Sequence, residues 1–248
     1  LHASMRAGGS QPQPEDELEV YPVEDFCDRE QTDHPALFES GVNCWEALDR
    51  IATYLKFRLK PAIHAKLVGR PFISNQVFIG EGTVVEQGAL LRGPAWIGAN
   101  CHIRNGAYIR ENVIVGDGVV LGNSCEFKNC LLFNGAQIPH FNYVGDSILG
   151  HKAHLGAGVI LSNVRLDGRE IVVSDGARRT ASGRRKFGAV VGDGAEVGCN
   201  AVISPGALIG RRAMVYPGAH WRGVLAADHV ARYVQEFQLL ARKSPPAG

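Results

Sequence analysis

Residues 77–122 read VFIGEGTVVEQGALLRGPAWIGANCHIRNGAYIRENVIVGDGVVLG, and their spacing decides the fold. Stepping by six from Ile79 meets Val85, Leu91, Ile97, Ile103, Ile109, Val115, Leu121, Phe127 and Phe133, all apolar. The register slips at Ile138, Val144 and Leu149, resumes at Leu155 and Leu161, and returns over Val191, Val197, Ile203, Ile209, Val215 and Trp221. A helix needs a period of 3.6 and a half-exposed strand a period of 2, so neither fits. Six is the period of a parallel β-helix, in which each hexapeptide forms one flat face and a corner. Three faces make a triangular coil of 18 residues, with the aliphatic side chains pointing inward. Gly follows many of them, as at Gly80, Gly98, Gly116, Gly156 and Gly198. We assign these glycines to corners, which need small residues or positive φ. A right-handed β-helix or another β-rich fold stays open on the spacing alone.

Outside the repeat the chain changes character. Residues 11–34 hold nine acids against one base, Arg29, and three Pro, which predicts a poorly ordered arm over residues 1–34. Phe38, Trp45, Leu48, Ile51, Leu55 and Leu59 recur at helical spacing, so residues 35–60 read as a helix stopped by Pro61, within a helical segment 35–68. The β-helix is expected over 69–226. Val230, Tyr233, Val234, Phe237 and Leu240 predict a second amphipathic helix in 227–248, and both helices are expected on the coil ends or on a neighbouring subunit. Residues 162–189 interrupt the repeat with seven bases and three acids, an extruded loop suited to an anion.

Composition excludes several classes. Net charge is +1, which argues against a nucleic-acid binder. No apolar run is long enough to cross a membrane. The N-terminal LHASMRAGGS lacks the apolar core of a signal peptide, and Met5 is a candidate start. The six Cys form no C-x-x-C pair, so reduced thiols in a cytoplasmic protein are expected.

The chemistry-bearing residues sit where the register slips. Gly122, Asn123, Glu126 and Lys128, then eleven residues, then His140, Tyr143, Gly145 and Asp146, read Gly-Asn-x-x-Glu-x-Lys and His-x-x-Tyr-x-Gly-Asp. This resembles the acetyltransferase domain of the bifunctional N-acetylglucosamine-1-phosphate uridyltransferase/glucosamine-1-phosphate acetyltransferases and their sugar-1-phosphate nucleotidylyltransferase relatives, over about residues 95–225. The resemblance implies a left-handed parallel β-helix, a homotrimer with sites between subunits, and acetyl-CoA as co-substrate. It implies His140 as general base, a task that suits an imidazole near neutral pH, with Glu126 orienting its ring. It implies Arg104, Lys128, Tyr143, His154 and Lys186 as contacts to the sugar phosphate. Ala157, Asn163, Cys199 and Pro217 correspond to acetyl-CoA contacts. Three departures stand out: His154 where many members carry Asn, Asn163-Val164-Arg165 in the acetyl-CoA loop, and Cys199 in place of Ser. The nucleotidyltransferase signature of the bifunctional enzymes does not occur in residues 1–75, so nucleotide-sugar synthesis is not expected.

Two other readings compete. One is a non-catalytic hexapeptide scaffold or regulatory subunit. The other is a γ-class carbonic anhydrase, suggested by GlyHisLysAlaHisLeuGly at 150–156. That class needs three convergent ligands, and the spacing of His151 and His154 does not match it, so no metal is expected.

Overall fold

A computed structural model of the chain describes residues 20–233 and residue 240. From Ala62 onward the backbone winds as a parallel β-helix with three faces. Face A has nine strands, from Ala62–Ile63 to Val224–Leu225. Face B has nine, from Lys66–Leu67 to Val230–Ala231, and face C has eight, from Phe72–Ile73 to His220–Trp221. Each strand pairs in parallel with the one a full coil away. Val85, Ile103 and Leu121 line up on face B, and Ile109 and Phe127 on face C. These inward side chains are fully buried and form one continuous core.

The register differs from the sequence reading at one step. Leu132, not Phe133, points inward, stacked between Val115 and Leu149. Phe133 turns outward into a second apolar cluster. The five-residue step therefore comes one hexapeptide earlier than expected.

The glycines of the IleGly pairs also have a different reason. Gly80, Gly98 and Gly116 are not in the left-handed region. Instead they stack on one another across coils, and a Cβ at Gly80 would sit 2.7 Å from the Gly98 backbone. The left-handed corner falls two residues later, at Gly82, Asn100 and Gly118.

The N-terminal segment is not a loose arm over residues 20–34. Short 3₁₀ turns at Val23–Asp25 and Arg29–Gln31 place Tyr21, Val23, Phe26 and Cys27 in the second cluster. The remainder of the predicted arm lies outside the described residues. The helix is shorter than expected. Pro35–Leu37 and Cys44–Glu46 are 3₁₀ turns, and the α-helix proper, α1, runs Ala47–Arg58. Residues 62–67 already belong to the coil, not to a helical segment. Leu48, Ile51 and Leu55 of α1 pack with Ile114, Leu131, Ile148 and Val190, the outward column of face A. So the helix covers the side of the prism, not its end. At the C-terminal side the coil continues to Ala231, and most of the predicted second helix lies outside the described residues.

The extruded loop is structured. Val172–Ser174 and Arg179–Ala181 form an antiparallel hairpin. Ile171, Val173 and Phe187 anchor it in the second cluster beside Trp45.

Two outcomes test this packing. Ile103→Asp places a carboxylate in the coil interior, several kcal/mol unfavourable, so soluble folded protein should be lost. Melting within about 2 °C of the parent would show that Ile103 points outward. His34 is 2% exposed under α1, edge-on to Trp96, with Nδ1 3.0 Å from the Tyr54 hydroxyl. Burial, opposed by Asp33, pushes its pKa down from 6.5 to about 4. The folded state then binds fewer protons than the unfolded one. Its stabilising share is complete above pH 6.5 and lost as pH falls toward 4, about 3 kcal/mol in all. Stability measured across that window should fall more steeply in the parent than in His34→Phe, and parallel curves would contradict the account.

Candidate functional site

The corner between faces B and C carries most of the expected site. The Asn105 carbonyl accepts from Ser124 N–H, Asn123 from Phe141, His140 from Gly158, Ala157 from Asn200, and Cys199 from Gly218. Asn123 and His140 are direct register partners. The pairings of Leu155 with Val197 and of Val197 with Val215 extend the same column through Ala157, Cys199 and Pro217. His140, Ala157, Cys199 and Pro217 therefore stand in one line, one per coil. At a strand spacing of roughly 4.8 Å the line is about 14 Å long. Three of the four residues expected on acetyl-CoA thus rise in a straight row from the expected base.

His140 is exposed at the foot of that row. Its placement depends on the turn Phe141–Asn142. Phe141 takes φ 55°, in the left-handed region, and its ring is 59% exposed. Asn142 is buried. Its Oδ1 accepts the His140 N–H at 3.2 Å, and its Nδ2 donates to the Gly156 carbonyl at 2.7 Å. Asn142 thereby pins the backbone of His140 to the next coil, a role the sequence reading missed.

Face C beside this corner holds a polar cluster. Asp146 is 3% exposed and lies in the left-handed region at φ 49°. It accepts from Asn129 Nδ2 at 2.9 Å and from Asn163 Nδ2 at 2.7 Å. Asn163 also donates to the Tyr143 hydroxyl at 3.1 Å. Lys128 Nζ and Arg184 each stand 3.8 Å from the Asp146 carboxylate. Arg184 reaches in from the hairpin and also pairs with Asp49 of α1. Burial pushes the Tyr143 phenol up, so it stays a neutral donor and acceptor at physiological pH.

Other expected residues fall elsewhere. Glu126 does not hold the His140 ring. Its register partner is Tyr143, and Arg110 Nη1 binds its carboxylate at 2.8 Å. The physical reason is the corner, which turns the backbone between faces B and C and leaves Glu126 beside Arg110 on face C. Asn163, expected on acetyl-CoA, is bonded inside the polar cluster instead. Arg104 is half-buried beside the corner column, two coils below His140. His154 lies on face B, opposite Gln137 in register, with Nδ1 2.6 Å from Glu196. Lys186 is exposed, next to Phe187, whose N–H bonds the Asn163 carbonyl at 3.0 Å. His151 turns away from His154 to the Asn134 carbonyl. Among the described residues no three His, Cys, Asp or Glu side chains converge as a metal site, and no helix is long and apolar enough to cross a membrane.

Cys199 is exposed and the other five cysteines are buried. Burial raises their thiols, Cys101 to about 11. N-ethylmaleimide should therefore modify one thiol per folded chain rapidly, and Cys199→Ser should abolish that phase. Rapid modification of two or more thiols would contradict the burial pattern.

Comparison with known proteins places the coil among sequence relatives. Residues 91–180 match the family described as the GMPPB C-terminal domain. A bifunctional sugar-1-phosphate nucleotidylyltransferase/acetyltransferase from Sulfurisphaera tokodaii is 37% identical over 137 residues, 55% of this chain and 33% of that protein. The bifunctional protein GlmU of Methanococcus aeolicus is 31% identical over 154 residues, 62% of this chain and 37% of that protein. The chain thus spans about a third of the length of the curated relatives it matches. Among solved structures, a UDP-N-acetylglucosamine acyltransferase from Francisella novicida aligns over 68% of this chain and 60% of that one, at 15% identity and a TM-score of 0.43. The hexapeptide coil of this chain is related in sequence to the bifunctional sugar-1-phosphate nucleotidylyltransferase/acetyltransferases.

Proposed function

We propose that the chain is an acetyl-CoA-dependent N-acetyltransferase acting on an amino-sugar phosphate such as glucosamine 1-phosphate, in the supply of nucleotide-sugar or cell-envelope precursors in the cytoplasm. The observation that carries this reading is the row His140, Ala157, Cys199 and Pro217 on one corner, beside a polar cluster on face C. The row fits an extended acyl carrier. It is straight, its upper members are small, and its exposed end is a base.

Acetyl-CoA supplies a thioester carbonyl open to attack by an amine. His140 takes the proton from the amine nitrogen as the new bond forms, and returns it to the leaving group. Tyr143 and Asn163 orient the sugar through hydroxyl and amide hydrogen bonds. Lys128 supplies a point charge and Arg104 a planar fork for the phosphate, with Lys186 added from the exposed end of the hairpin segment. His154 borders the carrier row on face B. Glu126, tied to Arg110, belongs to the wall of the sugar site.

Assembly fits the same reading. Residues 20–58 of the same chain cover face A, which leaves faces B and C for the site. A homotrimer that apposes face B of one subunit to face C of the next encloses the corner row in a cleft.

General-base catalysis is worth about 10² to 10⁴ in rate. His140→Ala should lose that factor in acetyl transfer to hexosamine 1-phosphates, with sugar-phosphate affinity changed less than about threefold. Full turnover in His140→Ala would overturn the mechanism. Absence of turnover in the parent with every hexosamine phosphate would favour the scaffold reading, which also keeps the fold.

A further inference from the structure

The corner that carries His140 has a second column, one residue further along the chain. Ser124, Phe141, Gly158, Asn200 and Gly218 each donate a backbone N–H to the corner residue one coil below. All five take left-handed backbone, with φ between 53° and 76°. Four of them are small: two Gly, an Asn and a Ser. Phe141 is the exception. Among the described residues, every other non-glycine side chain at a positive φ is polar. A bulky aromatic residue in this region is a backbone outlier, because its Cβ crowds the carbonyl that follows.

The fold holds Phe141 in that conformation from both sides. Its own N–H is tied to the Asn123 carbonyl at 2.9 Å. Asn142, the next residue, bonds the His140 N–H at 3.2 Å and the Gly156 carbonyl at 2.7 Å. Yet the packing makes no use of the ring, which is 59% exposed and belongs to neither apolar cluster. Strain that the surroundings impose and the core does not need collects at functional sites. The position agrees. His140 ends the face B strand Gln137–His140, and Tyr143 opens the face C strand Tyr143–Gly145, so Phe141 lies in the turn that joins the base to the polar cluster. The His140 and Phe141 ring centroids are 6.1 Å apart, with their planes tilted by 39°.

A closed sugar ring has hydroxyls around its edge and C–H groups on its faces. The Tyr143 hydroxyl, Asn163 and Lys128 are polar partners for the edge, and the exposed Phe141 ring is an apolar surface for a face. We propose that Phe141 is the platform on which the pyranose ring of the acceptor rests, with the amine turned toward His140. A phosphate on the anomeric oxygen keeps such a ring closed, so a hexosamine 1-phosphate is the acceptor class this platform fits. The inference rests on the acetyltransferase reading of the corner and adds to it the apolar contact that fixes the sugar.

Three measurements on the full-length parent, Phe141→Asn and Phe141→Tyr test this: acetyl transfer to glucosamine 1-phosphate, calorimetric titration with that sugar phosphate and with coenzyme A, and thermal melting. Phe141→Asn should raise KM and weaken sugar-phosphate binding by about tenfold or more, with kcat changed less than about threefold. Phe141→Tyr should keep both within about twofold of the parent. Coenzyme A affinity and oligomeric state should not change. Phe141→Asn should melt no lower than the parent, because Asn accepts the left-handed backbone. Sugar-phosphate affinity within about twofold of the parent in Phe141→Asn would overturn the proposal. So would a loss of coenzyme A affinity alone, which puts the ring on the carrier, or dissociation of the oligomer or lower melting, which makes it a structural contact. Phe141-dependent binding without any acetyl transfer refutes the acetyltransferase reading alone. Transfer with KM unchanged in Phe141→Asn refutes this inference alone, and a parent that neither binds nor acetylates hexosamine phosphates refutes both.

Discussion

The structure depends on one repeated constraint, the backbone hydrogen bond that ties each corner to the corner one coil above. Because every coil closes on the same three corners, a residue's place in the hexapeptide fixes its face, and its coil number fixes its height. The inward aliphatic stack makes that closure favourable, since each buried side chain contributes on the order of 1.5 to 3 kcal/mol. Where a step shortens to five residues, as at Leu132 and Leu149, the coil still closes, and the freed side chains turn outward. Asn129 and the buried Asp146 lie in such steps, both in the left-handed region. A site built on corners inherits this regularity: a row of residues 4.8 Å apart needs no special loop to hold it.

The second constraint is the coat over face A. A parallel coil with Ile114, Leu131, Ile148, Val190 and Leu208 on its outside cannot face water there. Residues 20–58 and the hairpin anchor supply the cover, so the apolar core is effectively two layers deep on that side. The coat also reaches the polar cluster. Arg184 joins Asp49 of α1 to Asp146, so the hairpin, the helix and the site meet at one guanidinium.

Much of the coil was legible because its signal is long-range and simple. Ile79 through Phe127 kept their phase and all point inward. Phe133 misled because Leu131, Leu132 and Phe133 are all apolar, and periodicity cannot choose among three candidates. The acidic composition of residues 11–34 hid Tyr21, Val23, Phe26 and Cys27, four apolar residues enough to seat the segment. For the site, the motif brought Lys128, Tyr143 and Asp146 into view together, and face C holds them as one cluster, while Asn163, expected on the acyl carrier, joins that cluster instead. The Glu126 partnership was not readable, since Arg110 lies on the same face and only the turn of the corner decides between it and His140. Asn142 and Asp146 were in view within the motif, but their work is to bond other coils. Arg184 was counted as surplus charge, because its partner Asp49 is 135 residues away in the chain.

The account stands on the claim that the corner between faces B and C is an acyl-carrier track ending at His140. An experimentally determined structure of the full chain with coenzyme A tests that most directly. The account predicts the pantetheine arm lying along Pro217, Cys199 and Ala157, with its sulfur beside the His140 imidazole. Coenzyme A ordered on another edge of the coil, with its sulfur remote from His140, would contradict it.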